Sequence, residues 1–350
     1  MIARGFHIER GGRAGAAWAL AAAVALAAAP AYASSATLGL LAQVFAYIAL
    51  ASLWNLLAGF SGLVSVGQQA YVGLGGYCLF ALTMFAGVPP LLAIPLAGVV
   101  GAALSIPVAA LLFRLRGAYF AIGSWVMAEV FRLLASQISA LGGGSGASLP
   151  IRVVAAVAAS RQAREFAIYW ASLALALLVI GLIVWLLRSR WGLALRAIHF
   201  DEAAASANGV DVRRVKFVVY GLAAFGTSMA GALIFLQKLR ISPDAAFSVN
   251  DWTAYVIFMT VIGGVGRIEG PVVGAIVFFA LRLTLSDLGS LYLLMLGVVA
   301  IAAMLKAPKG LWGAFAEKTG FEFAPLGQRV VYDNQTGKPA AAAGGQGDKP

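Results

Sequence analysis

The sequence predicts an all-α integral membrane protein, a polytopic helical bundle of about ten spans (8–10) with both termini cytoplasmic. Three observations carry that expectation. Of the 350 residues, 61% are hydrophobic and only 11% charged, and the mean hydropathy is +0.90. Soluble domains sit nearer half apolar and a quarter charged, so this chain has too little polar surface to coat a water-soluble fold. Its apolar residues also fall in blocks of about twenty, the length at which a helix crosses ~30 Å of hydrocarbon. Finally, 25 Lys and Arg against 14 Asp and Glu give a net charge of +11. The excess lies between apolar blocks, where the positive-inside rule places it, so no nucleic-acid partner is needed to explain it.

The blocks place spans near 14–33, 36–57, 62–86, 88–113, 117–139, 166–188, 215–237, 252–266, 270–285 and 289–305. An even number of spans puts both ends on one side. With the N-terminus inside, eighteen basic residues fall in cytoplasmic segments and five in outer loops, while Arg132 and Arg282 lie within spans. Two merged or missed spans would leave the same ends inside.

Residues 1–33 form a basic N-terminus, carrying Arg4, Arg10 and Arg13, and the first span. The run ends in AYA at 31–33, so it also fits a secretory signal with its A-x-A cleavage site. An uncleaved span ended by Pro30 fits the charge parity. Residues 34–310 form the transmembrane domain, with an outer glycine-rich linker opening 140–165 and a cytoplasmic loop at 188–216. Residues 311–350 form a cytoplasmic tail whose Gly-, Ala- and Pro-rich composition predicts disorder from about 333. Trp54, Trp125, Trp185, Trp191, Trp252 and Trp312 mostly fall near span ends, the usual place of interfacial anchors.

The loop RSRWGLALRAIHFDEAAASANGVDVRRVKF (188–217) holds a short helix with a signal at each end. Asp201 suits the N-cap, and the charge of Glu202 suits the first turn of a helix dipole. Ala203, Ala204, Ala205 and Ala207 favour helix, while Gly209 can take the left-handed position just past the end. A short capped helix between two spans is either a solvated connector or a lever rigid enough to transmit a push.

The stretch GFSGLVSVGQQAYVGLGGY (59–77) places six glycines and two adjacent amides among apolar spans. Polar groups at membrane depth persist only where protein or trapped water satisfies them. Asn55, Ser65, Gln68, Gln69 and Tyr71 are therefore candidates for a translocation path or a subunit interface. Interhelical hydrogen bonds worth ~1 kcal/mol each explain them equally well. Glu129 and Arg132, three apart, share one helical face. They form a gate or interface element, or a self-satisfying pair near the membrane surface. Gly266, Gly270 and Gly274, with Gly263 and Gly264 just before, are spaced for close helix packing, as are Gly226 and Ala230. Arg267, Glu269 and Pro271 mark a break between the eighth and ninth spans.

Little in the chain supports chemistry. Its two histidines, His7 and His199, lie outside the spans, and Cys78 is the single cysteine. No catalytic residue and no metal ligand is assigned. A phosphate-cradling G-x-x-x-x-G-K-[ST] loop is missing, since the one Gly-Lys pair, Gly337-Lys338, precedes Pro339. An ion-driven secondary transporter would carry acids at mid-membrane. Here Glu129 is the one acid well inside a span, with Arg132 beside it.

Four segments, in order, resemble the landmarks of branched-chain amino-acid ABC transporter permeases, closest to the LivM type. They are NLLAGFSGLVSVGQQAYVGLGGY (55–77), RGAYFAIGSWVMAEVFR (116–132), RAIHFDEAAASANGVDVRRVKF (196–217) and VIGGVGRIEGPVVGA (261–275), followed by MLKAPKGLWG (304–313). The EAA start at 202–204, followed by Gly209, is similar to the loop by which ABC importer permeases insert into a cleft on the ATP-hydrolysing subunit. The resemblance assigns Asp201, Glu202, Ala203, Ala204 and Gly209 to ATPase coupling. The I-x-L-P ending of longer versions is absent, and His199 stands where a basic or polar residue is expected.

The resemblance implies a permease subunit in the bacterial inner membrane, forming half of a path for branched-chain or related small hydrophobic amino acids. It implies no enzymatic step and no cofactor on this chain, with ATP and Mg held by partner subunits. The implied partners are a second related permease, two ATP-binding subunits and a periplasmic or extracellular solute-binding protein. Kindred permeases carry urea, short amides or other small polar solutes, so the substrate stays open at this point.

Overall fold

The computed structural model describes residues 6–9, 21, 23–158, 160–285, 291–307, 309–319 and 329–332. Of the predicted first span, residues 14–20 and 22 lie outside them, as does the predicted disordered tail; the rest of that span is helical at 23–27 and ends in a 3-10 turn at Ala29–Ala31. Among the described residues, six stretches are long and apolar enough to cross a membrane: Ser35–Phe60, Pro90–Leu112, Ala118–Ser136, Arg161–Arg188, Val212–Lys238 and Pro243–Gly263. The chain is a mostly helical polytopic bundle.

Helix α1 (Ser35–Asn55) opens where the Ser34 hydroxyl accepts from the Thr37 N–H, an N-cap, and runs on through a π turn at Leu56–Phe60. A helical span is predicted from residue 62, but α2 covers Gln68–Met84. The backbone at Gly62–Gly67 stays irregular, with Gly62 at φ +70°. Helices α3 (Pro90–Leu112) and α4 (Ala118–Ser136) follow their predicted spans closely.

The segment after α4 holds two 3-10 turns and the short α5 (Ile151–Val157). Helix α6 (Arg161–Arg188) starts five residues before its predicted span, because the Ser160 hydroxyl caps it by accepting from Ala163 N–H at 3.1 Å. Arg161 and Arg164, expected in a loop, therefore sit in the first turn. The loop between spans holds α7 (Arg190–Phe200) and α8 (Glu202–Ala207), and leads into α9 (Val212–Lys238).

The eighth span departs most from expectation. It begins at Pro243 rather than 252 and is broken into α10 (Pro243–Ala246), a π turn at Asn250–Ala254 and α11 (Tyr255–Gly263). Its apolar content is diluted by Asp244, Ser248, Asn250 and Asp251, which hides the first half from hydropathy. After the predicted break come α12 (Gly270–Leu285), α13 (Leu291–Lys306) and α14 (Gly310–Thr319). Phe6–Glu9 pairs antiparallel with Arg329–Tyr332, so the two terminal segments meet.

Helix α9 sits centrally, packed on α2 and α3, while α1 packs on α6 and α11 on α12. Small residues allow the first crossing. A Cβ at Gly75 of α2 would run into the Ser228 carbonyl of α9, and one at Gly231 of α9 into the Val72 carbonyl of α2. The backbones touch, which only glycine permits at both positions. Trp54 and Trp252, expected as interfacial anchors, are buried instead: their indole N–H groups donate to the Ser65 and Ala245 carbonyls at 2.8 and 2.7 Å. Trp125 and Trp185 remain exposed.

Candidate functional site

The loop helix α8 is held at both ends by the residues that mark it in the sequence. Asp201 Oδ1 accepts from the N–H groups of Ala203 and Ala204 at 2.8 and 3.0 Å. At the other end Gly209 takes φ +84°, its N–H donates to the Ser206 carbonyl, and Val210 N–H reaches back to Ala205. That pair of bonds is a Schellman closure, which satisfies the last carbonyls of a six-residue helix. Lys216 of α9 then bonds Glu202 Oε2 at 2.6 Å, and Ala205 is buried against the bundle. Ala204, Ala207 and Asn208 stay exposed.

Beside α8 opens a cleft of about 1160 Å³, walled by Glu202, Ala203 and Ser206, by the α3–α4 connection at 113–118, and by residues 62–64. Arg114, Arg116, Arg213 and Lys216 line it.

The amides of the glycine-rich stretch face inward, not toward open space. Gln68 Nε2 donates to Thr227 Oγ1 at 3.0 Å and to the Leu50 carbonyl at 3.4 Å, linking α2 to α9 and α1. Gln69 Oε1 accepts from the Thr253 hydroxyl of the broken span. The Tyr71 hydroxyl donates to that of Tyr220 at 3.2 Å, with the rings edge-on. Ser65 Oγ accepts from Gly67 N–H, and Ser124 of α4 accepts from Val66 N–H at 2.9 Å. The end of the irregular backbone before α2 is thus satisfied by protein, with the Ser65 carbonyl taken by Trp54 and the Val66 and Gly67 N–H groups by serine hydroxyls.

Asn55 ends α1 and grips the turn between α11 and α12. Its side chain donates to the Arg267 carbonyl at 2.7 Å and accepts from Gly266 N–H at 2.8 Å. Gly266 lies in this turn at φ +77°, whereas Gly270 and Gly274 meet backbone ahead of them: a Cβ would strike the carbonyls of Gly264 and Met259 respectively.

Glu129 and Arg132 form the i,i+3 pair their spacing predicts, at 2.6 Å, on the partly exposed C-terminal half of α4. A third member joins them: Arg132 Nη1 reaches Asp244 Oδ1 at 2.9 Å. Sequence reasoning missed Asp244, Thr227, Thr253, Tyr220 and Ser124. A lone Thr or Ser within an apolar run carries no pairing signal, and Asp244 lay ahead of the predicted span. Among the described residues no group of three His, Cys, Asp or Glu is placed to hold a metal ion.

Residues 36–304, nearly the whole bundle, match the family described as "Branched-chain amino acid transport system / permease component". The chain belongs to this family. Among its relatives is the high-affinity branched-chain amino acid transport system permease protein LivM of Escherichia coli, 29% identical over 300 residues, covering 79% of this chain and 70% of that protein. The LivM of Salmonella typhimurium is 28% identical over 287 residues, covering 76% and 67%. The ribose import permease protein RbsC of Bacillus subtilis is 32% identical over a shorter 140 residues, 38% of this chain and 44% of that protein. No solved structure matches this chain.

The family match ends at residue 304, so the permease domain contains α8, its cleft and the Asn55 clamp.

Proposed function

We propose that the chain is the permease subunit of an ATP-driven importer for branched-chain or closely related amino acids. In this reading it sits in the bacterial inner membrane with ten spans and cytoplasmic ends. It forms half of the pathway with a second related permease, and ATP and Mg are bound by two separate ATP-hydrolysing subunits. A solute-binding protein delivers the substrate from outside.

The observation that carries the reading is α8 within a chain of this family. A six-residue helix closed by Asp201 and Gly209, and pinned by Lys216, is a rigid body at the ends of α3 and α9. Its exposed side, Ala204, Ala207 and Asn208, is free for a docked ATPase, and a displacement there passes straight into α9. Because α9 packs on α2 and α3, such a shift reaches the centre of the bundle. Asn55, Ser65, Gln68, Gln69 and Tyr71 then hold helices in register, and the solute path runs along faces the partner permease completes.

The test is reconstitution of the whole complex in proteoliposomes. Glu202→Lys sets like charges against each other at Lys216, and Gly209→Pro forbids the left-handed turn. Each should leave membrane insertion intact while ATP hydrolysis proceeds without uptake. Uptake by this chain without ATPase subunits would sink the reading. The relatives named for ribose import show how far the family's cargo ranges, so the substrate panel includes leucine, isoleucine, valine, urea and ribose.

A further inference from the structure

The cleft beside α8 has a use that solute transport leaves unexplained. Three arginines, Arg114, Arg116 and Arg213, line it together with the acids Glu202 and Asp211, and among the described residues none of the three has a carboxylate within ion-pair distance. Lys216 lies deeper, its side chain 16% exposed and bonded to Glu202. Cations at membrane-facing loops are ordinary, but a concave set around a cleft of about 1160 Å³ is a binding geometry.

The walls say what kind of anion fits. On the bundle side the lining is apolar, from Leu63, Val64, Phe113, Leu115 and Phe120. From its rim the outer surface of α4 continues through exposed Tyr119, Ile122, Trp125 and Val126. A charged head in the cleft would thus have an apolar track running along a spanning helix. An acidic peptide or a free phosphate would use the arginines and leave that track unfilled.

We propose that the cleft seats the headgroup of an anionic phospholipid, with its acyl chains lying along α4. Basic pockets between spanning helices at the cytoplasmic surface are suited to such headgroups. The phosphate is bound by Arg114, Arg116 and Arg213, and competes with Glu202 for Lys216. Through that competition the lipid biases how firmly α8 is held to α9. The lipid takes the Glu202, Ala203 and Ser206 side of α8, leaving the Ala204 and Ala207 side free.

The experiment reads lipid retention, so its failure would not touch the transport reading. The full chain is purified from nanodiscs containing phosphatidylglycerol and phosphatidylcholine in equal amounts, and retained lipid is identified by native mass spectrometry. Wild type should retain phosphatidylglycerol at least about tenfold over phosphatidylcholine, consistent with several basic contacts. The triple variant Arg114→Gln, Arg116→Gln, Arg213→Gln should lose that preference. Arg214→Gln, which neutralises an arginine that does not itself line the cleft and pairs only loosely with the cleft-lining Asp211, should keep it. Folding is checked by size exclusion, and single variants replace the triple if it aggregates. Equal loss in Arg214→Gln overturns the proposal, as does unchanged preference in the arginine variants. Displacement by millimolar inorganic phosphate would make the cleft a free-anion site, and displacement by assembled ATPase subunits would give it to a protein; either result also overturns it.

Discussion

Lys216 Nζ lies 2.6 Å from Glu202 Oε2, tying the first residue of α8 to the second turn of α9. Glu202 is more than half exposed, so solvent screens the pair and its effect on stability is small, about 0–1 kcal/mol. Its value is positional. Glu202→Gln should leave thermal unfolding nearly unchanged while lowering the amount of solute moved per ATP hydrolysed. Parallel uptake and phosphate-release assays on the reconstituted complex check this.

Asn55 is a different case, because it is buried and satisfies two backbone groups at once. Asn55→Leu removes both bonds and leaves Gly266 N–H and the Arg267 carbonyl without that partner. A buried polar group stranded in this way costs about 1–3 kcal/mol. Thermal unfolding in detergent should fall clearly. Asn55→Asp keeps the acceptor for Gly266 but sets a buried carboxylate against the Arg267 carbonyl, so it should destabilise at least as much.

Glycine substitutions should sort by what the new methyl meets. Gly75→Ala puts a Cβ into the Ser228 carbonyl, an overpacking that costs about 1–3 kcal/mol. Gly181→Ala, in α6 with open space around it, should instead be neutral or gain up to about 1 kcal/mol from helix propensity. Unfolding temperatures of the two variants, measured side by side, should move in opposite directions or differ sharply.

The Glu129–Arg132–Asp244 cluster is exposed enough that removing it evenly should do little. The double variant Glu129→Gln, Arg132→Met should assemble and transport near the wild-type rate. Arg132→Met alone leaves two carboxylates facing each other and should be the worse of the two. Uptake with quantified membrane levels decides it, and lost transport in a well-assembled double variant would put this face in the solute path.

Composition and block length make the membrane bundle legible, because nothing soluble can afford so little charge. Several span positions are legible for the same reason: the ends of α3, α4 and α9 lie within a few residues of expectation. The start of α6 was not, since Ser160 caps the helix before the apolar run begins. The first half of the eighth span was hidden because its polar residues are satisfied locally or by neighbours: Trp252 bonds Ala245, and Asp244 bonds Arg132. Helix α8 could be read almost to the residue, because Asp201 and Gly209 act on their own neighbours in sequence.

What this sequence determined by itself is whatever depends on hydropathy and on bonds within a few residues: the membrane class, several spans and the capped helix of the loop. The tertiary structure alone decided the partners. Gln68 met Thr227, Gln69 met Thr253 and Asn55 met Gly266 across separations of 159, 184 and 211 residues. The reason is physical. An amide in a greasy run must be satisfied, but by which helix depends on which backbones come close, and here glycines at 75 and 231 set that approach.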